Sequence, residues 1–283
     1  MLDRLKAWGF HLLPHHLISR GVFRLTRTRS RFTPLAIRWF IRQFRIDMSE
    51  AAQPDPKAYP TFNAFFTRAL RPDARPVAPG ERTIVSPVDG TISQLGTIGE
   101  GRVFQAKGQD YSVQELLGGE ARHATPFRTG RFCTLYLSPG DYHRIHMPVS
   151  ATLSETIYVP GRLFTVAPYG VRRIPRLFAR NERVISLFET ERGPMALILV
   201  GAINVAAIET VWAGLITPPH RRLIQQVDYR DQDIHLAKGQ EMGRFNMGST
   251  VIVLFADAVM TWKPELGPGD AVRMGQELGS FIS

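Results

Sequence analysis

The sequence predicts an α+β chain in which N-terminal amphipathic helices sit on a predominantly β body. Three observations carry this. Apolar residues recur at helical spacing through the first 45 positions, Pro54, Asp55, Pro56 and Pro60 break the chain, and from Thr83 onward short strand-like runs alternate with Gly and Pro. At 283 residues the chain is long enough to bury roughly three quarters of its unfolded surface, so a sizeable core is expected. The natural division is residues 1–60, a basic helical region with its linker, and residues 61–283, the β-rich body.

In the first region Leu2, Leu5, Trp8 and Leu12, then Ile18, Val22 and Leu25, then Leu35, Trp39 and Ile46 mark the helical stripes. The net charge is +10, and residues 1–45 hold nearly all of it: nine arginines and Lys6 stand against Asp3 alone. Arginine interleaved with apolar residues suits an anionic membrane surface, where each cation contributes about 1 kcal/mol. The same charge would also suit a solvated helix face, or phosphates of a nucleic acid, but no nucleic-acid motif accompanies it. No apolar run approaches the roughly 20 residues of a membrane span, since Leu12-Leu13 is stopped by Pro14-His15-His16. No small-residue cleavage site follows the short stretch Ala7–Leu13, so a secretory signal is not expected. His11, His15 and His16 read as interfacial side chains. Cys133, the only cysteine, excludes an intrachain disulfide and fits a reducing compartment.

Thr61 is a suitable N-cap for a short helix that packs Phe62, Phe65, Phe66 and Ala69 inward, with Pro72 and Pro76 beyond it. The strands expected after it are Thr83–Val85, Thr91–Leu95, Phe132–Leu137, Ala151–Tyr158, Arg183–Phe188, Met195–Val200, Val205–Val211 and Thr250–Phe255. The tail from Gly269 to Gly279 resembles the hairpin units of biotinyl and lipoyl domains, so a barrel-sandwich-like element is expected. It lacks their lysine at the tip, so a carrier role does not follow.

Three motifs carry the chemistry. Met247-Gly248-Ser249-Thr250 contains a Gly-Ser bond that a serine hydroxyl can attack, because glycine has no side chain to crowd the carbonyl; the same residues also suit a turn entering a strand. Ser86-Pro87-Val88-Asp89-Gly90 and Asp141-Tyr142-His143-Arg144-Ile145-His146-Met147-Pro148 supply a carboxylate and two imidazoles. Asp-Gly is equally a turn signature. His143 and His146 have no supporting Cys or carboxylate cluster, so no metal site is expected. With Thr61-Phe62-Asn63, Phe65-Phe66, Tyr158-Val159-Pro160-Gly161, Ile208-Glu209-Thr210-Val211-Trp212, Lys238-Gly239 and Glu241-Met242-Gly243, these motifs make the chain resemble phosphatidylserine decarboxylase over most of its length. Met247 stands where that family usually has leucine, an exchange of similar volume.

The resemblance implies that the bond between Gly248 and Ser249 is self-cleaved, giving a β chain of 1–248 and an α chain of 249–283. It implies that Ser249 becomes a pyruvoyl group, the enzyme's own cofactor, with no external one required. Asp89 would set the imidazole of His146, and His146 would activate Ser249, a serine, histidine and aspartate grouping that recurs in several sequence orders. The pyruvoyl carbonyl would form a Schiff base with the substrate amine and act as the electron sink, with His143 assisting proton transfer or carboxylate positioning. The implied partners are phosphatidylserine, an anionic membrane surface at the cytoplasmic face, and the chain's own two fragments; a homodimer of the cleaved unit is compatible, and nucleic acid is not expected. The competing reading is a serine hydrolase that uses Ser249, His146 and Asp89 on an external ester while remaining one intact chain.

Overall fold

The computed structural model describes residues 15–282 apart from 107, 203–206, 219–220, 247–249 and 258. Gly248 and Ser249 therefore lie outside the described residues, as do Leu2, Leu5, Trp8 and Leu12 of the first helical stripe.

A nine-stranded antiparallel sheet forms the body, and its centre is apolar. Along it run Gln225–Asp228, Ala151–Val159, Arg183–Thr190, Gly193–Val200, Thr250–Phe255, Arg131–Tyr136, Gly90–Thr97 and Ala271–Val272, with His235–Leu236 joining beside Ala151–Val159. The central strand Thr250–Phe255 is buried at every position and bonded on both edges, with Thr250 opposite Tyr136 on one side and Val200 on the other. Its continuous Val-Ile-Val-Leu-Phe run is what a strand covered on both faces requires.

A second sheet orders Gly214–Thr217, Ile208–Thr210, Glu241–Phe245 and Arg144–His146. A third sets Glu277–Phe281 between Thr83–Val85 and Met260–Trp262. The C-terminal segment thus pairs with the strands near Gly90 and Thr83 as expected of a sandwich element, but no sheet among the described residues closes into a barrel.

Helix His15–Arg27 and helix Thr33–Phe44 lead into this body. Thr61 caps the helix Phe62–Phe66, its Oγ1 accepting from the Ala64 N–H at 3.1 Å. A small core of Ile37, Phe40, Ile46, Tyr59, Phe65 and Phe66 ties the second basic helix to this short one. Phe40 meets Phe62, Phe65 and Phe66 edge-on, with centroids 5.1 to 6.1 Å apart. The opposite face stays uncovered: Phe32, Leu35 and Trp39 are 60–67% exposed among Arg31, Arg38 and Arg42. No helix among the described residues is long and apolar enough to cross a membrane.

Candidate active site

Tyr136 is the point at which the separated motifs converge. Thr91 pairs with it from one side and Thr250 from the other, so the strands that begin at Gly90 and at Thr250 enter the sheet at the same end. Gly90 is required there, since a Cβ at that position would stand 2.5 Å from the Tyr136 carbonyl oxygen. The Glu241–Phe245 strand arrives beside Arg144–His146, with the Phe245 N–H donating to the His143 carbonyl at 3.0 Å. Asn246 follows, its N–H bonded to the Ala207 carbonyl at 2.9 Å. Asn246, at the end of the strand beside the histidines, and Thr250, at the start of the central strand, are the described residues nearest in sequence to 247–249, which lie outside the described residues.

The two histidines are held differently. His146 donates its backbone N–H to the Pro87 carbonyl at 2.8 Å, which ties its strand to the Ser86–Gly90 segment. Its Nδ1 lies 2.8 Å from the Gly239 carbonyl, and a carbonyl can only accept, so the proton is on Nδ1 and Nε2 presents a lone pair. The Tyr142 hydroxyl, 3.1 Å away, donates to that lone pair. Burial lowers the His146 pKa, partly opposed by the bond to Gly239. His143 is fully buried against Phe66, with ring centroids 4.1 Å apart. Its Nδ1 donates to the Asp141 carbonyl at 2.7 Å, and its Nε2 has no hydrogen-bond partner among the described residues. Burial pushes its pKa down to about 3, so the ring is neutral and Nε2 is a bare acceptor.

Asp89 is clamped rather than paired with a histidine. Its carboxylate accepts from Arg75 Nε at 2.9 and 3.1 Å, from an Arg75 terminal nitrogen at 2.6 Å and from the Met274 N–H at 2.8 Å. Arg75 is shared with Glu50 at 2.8 Å. Asp89 and His146 make no direct hydrogen bond to each other, because both ring nitrogens and both carboxylate oxygens are engaged elsewhere. What joins them is the Pro87 to His146 backbone bond and the charge of Asp89 acting on the imidazole.

Further groups were silent in the sequence. Asn246 and Thr250, both buried, have no partner for Nδ2 and Oγ1 among the described residues, although Asn246 Oδ1 accepts from Asn63 Nδ2 at 3.0 Å. The only sign of Asn63 was its place in the Thr61–Asn63 motif, and Tyr142 sat unremarked inside the histidine motif. Arg75 had no local signal, because its partners lie 14 and 25 residues away in sequence. No group of three or more His, Cys, Asp or Glu among the described residues is arranged to hold a metal.

The described residues thus hold a neutral buried imidazole at His143 and, at Asn246 and Thr250, buried polar atoms with no partner among the described residues, a chemistry suited to an enzyme. The sequence profile described as phosphatidylserine decarboxylase matches residues 62–280, and one described as PSD matches residues 5–45. The chain is 55% identical over 282 residues to the phosphatidylserine decarboxylase proenzyme of Pseudomonas fluorescens, an alignment covering 99% of this chain and 98% of the relative. It is 54% identical over 283 residues to the phosphatidylserine decarboxylase proenzyme of Idiomarina loihiensis, covering 99% and 97%. The proteins of the same name from Pseudomonas putida and Nitrosococcus oceani are 53% and 54% identical over 283 and 286 residues. The chain belongs to the phosphatidylserine decarboxylase family.

Proposed function

We propose that this chain is a proenzyme that cleaves itself between Gly248 and Ser249 and then converts phosphatidylserine to phosphatidylethanolamine. The observation that carries the reading is that the histidine motif and the residues that precede and follow 247–249 in sequence hold buried polar atoms with no partner among the described residues: His143 Nε2, Asn246 Nδ2 and Thr250 Oγ1. Buried polar atoms without partners are costly in a finished core, and they are expected where a reacting group is to be held.

For cleavage, His146 Nε2 takes the Ser249 hydroxyl proton as the oxygen attacks the Gly248 carbonyl carbon. The Gly248–Ser249 C–N bond then breaks, the nitrogen takes a proton, and an ester joins the two fragments. Loss of the Ser249 Cα proton expels the Gly248 carboxylate, and hydrolysis of the resulting dehydroalanine releases ammonia. Tyr142 must give up its bond to Nε2 for this, while the Gly239 carbonyl keeps the ring in the required tautomer. Asp89 acts through its charge and through the segment it anchors, with Arg75 and Met274 holding it in place.

The pyruvoyl group so formed at position 249 supplies an electrophilic carbonyl that receives the substrate amine and accepts the electron pair left by departing carbon dioxide. The unpartnered Asn246 Nδ2 and the bare His143 imidazole fit such a group. His143, neutral and buried, has a free lone pair on Nε2 and so is suited to accepting a hydrogen bond or a proton from the reacting group rather than to delivering one. The serine hydrolase reading gains no comparable support, because a recycling nucleophile does not require a proenzyme.

We infer further that residues 1–60 form the membrane-binding region, with residues 61–283 as the catalytic unit, at the cytoplasmic face of an anionic bilayer. The exposed Phe32, Leu35 and Trp39 set among arginines support this, as do Leu17 and Leu25, 62% and 75% exposed on the preceding helix. Mass spectrometry of the denatured protein tests the catalytic proposal. Fragments of 1–248 and 249–283 are expected, the smaller with a pyruvoyl terminus, and Ser249→Ala should give one inactive chain. An intact chain that decarboxylates phosphatidylserine would overturn the reading.

A further inference from the structure

A pocket of about 600 Å³ opens between helix His15–Arg27 and the edge of the second sheet. Four arginines line it: Arg20 and Arg24, one helical turn apart, and Arg221 and Arg222 from the loop after strand Gly214–Thr217. None of the four has a carboxylate partner among the described residues, although ion pairs occupy many other arginines of this chain. The lining holds no acidic residue. Two carboxylates lie behind the walls: Glu209 faces Leu215 across the ladder and acts on Arg27, and Glu182 accepts at 2.6 Å from the Tyr158 hydroxyl. Phe23 and Leu215 make part of the wall apolar. Outside the lining, Leu17, Leu25 and Leu223 are 62–76% exposed.

Both walls are anchored, so this is a built concavity. His16 bonds through Nε2 to the Gly161 carbonyl at 3.1 Å, and the Arg221 N–H donates to the Tyr158 hydroxyl at 3.0 Å. Gathering four cations around one concavity is unfavourable unless an anion neutralises them, and guanidinium is the side chain best matched to phosphate oxygens. The apolar wall and the exposed leucines add a need for an attached hydrocarbon. The pocket is not the catalytic centre. Leu215 lies on one edge strand of the four-stranded sheet and His146 on the other, with two strands between them, roughly 14 Å at the usual strand spacing.

We propose that this pocket binds the phosphodiester of an anionic phospholipid at a site separate from the one that performs decarboxylation. The inference rests on the membrane-surface reading of the N-terminal helices but requires more than it does, namely a saturable site rather than diffuse attraction.

Calorimetric titration of the full chain with short-chain phosphatidylglycerol below its micelle concentration tests it, using wild type, R221Q/R222Q and, as a charge-matched control, R38Q/R42Q. Saturable binding in wild type and in R38Q/R42Q, weakened about tenfold or more in R221Q/R222Q, is the expected result. Equal loss in both variants would mean diffuse charge attraction and overturn the site. Inorganic phosphate binding as tightly as the lipid would overturn the lipid assignment, and absence of saturable binding in wild type would overturn the proposal altogether. Fragment masses, measured on the same samples, report the decarboxylase reading independently.

Discussion

Arg75→Met isolates the clamp on Asp89. The Arg75 and Asp89 side chains are only 7% and 11% exposed, and the substitution removes every contact to the carboxylate except the Met274 N–H at 2.8 Å. Stranding one partner of a buried ion pair costs about 3–5 kcal/mol. The loss should therefore be about 3–5 kcal/mol at pH 7. Urea unfolding in a Ser249→Ala background, where a single uncleaved species is present, measures it. Adding Asp89→Asn to Arg75→Met should recover part of the loss, because the stranded charge is gone. In the otherwise native chain, Arg75→Met should also slow the appearance of the 249–283 fragment, since the Ser86–Gly90 segment anchored by Asp89 holds the His146 strand. A deficit below about 1 kcal/mol at pH 7, or no recovery on adding Asp89→Asn, would refute the account of Asp89 as a charge held by Arg75.

Burial keeps His143 neutral with a pKa near 3, whereas an unfolded histidine titrates near 6.5. The unfolded state therefore binds the extra proton first, and this contribution to stability is complete above pH 6.5 and is lost as pH falls toward 3. It amounts to about 2 kcal/mol between pH 6.5 and 5, and His143→Gln should flatten the stability profile there by that amount; an unchanged slope would count against a buried neutral ring. Gly90→Ala would push a Cβ against the Tyr136 carbonyl, so the variant should lose stability by about 1–3 kcal/mol and process slowly, as read by denaturation and fragment mass. The two fragments should co-elute in native size-exclusion chromatography and separate only in denaturant; separation in buffer would mean that the Thr250–Phe255 strand is not held as described.

The sequence made the strands legible because their patterns are local. Thr83–Val85 and Thr250–Phe255 have the expected limits, and Ala151–Val159 and Arg183–Thr190 extend the expected runs by one and two residues. The Thr61 cap was equally local, and its helix ends at Phe66, earlier than the stripe through Ala69 suggested. Of the expected strand Val205–Val211, residues 208–210 form one, and 205–206 lie outside the described residues. What the sequence could not show was pairing over distance. Asp89 reads as the partner of His146 when motifs alone are compared, yet Arg75 is closer in space and carries a full charge, and it takes the carboxylate. A backbone carbonyl such as Gly239's leaves no mark in a sequence, so the group that fixes the His146 tautomer was invisible. The unmet atoms of Asn246 and Thr250 were hidden for the same reason, since being unpartnered is a property of the fold alone.

Self-cleavage poses a mechanical problem that this topology answers. A chain cut at a functional serine releases its new terminus unless something outside the bond holds both sides. Here the segment after the cut begins at once with a strand bonded on both edges, between Arg131–Tyr136 and Gly193–Val200, both from the larger fragment. Its five apolar residues, buried to 1% exposure or less, contribute on the order of 10 kcal/mol of hydrophobic burial. Further along, Ala271–Val272 pairs with Gly90–Thr91, Glu277–Phe281 pairs with Thr83–Val85, and the Met274 N–H closes the ring on Asp89. Residues 250–282 are therefore bonded to the body at Thr83–Val85, at Gly90–Thr91 and at Asp89 as well as along the central strand. On the proposed cleavage, the ladders on both edges of Thr250–Phe255 would hold the smaller fragment in the body after the peptide bond is broken.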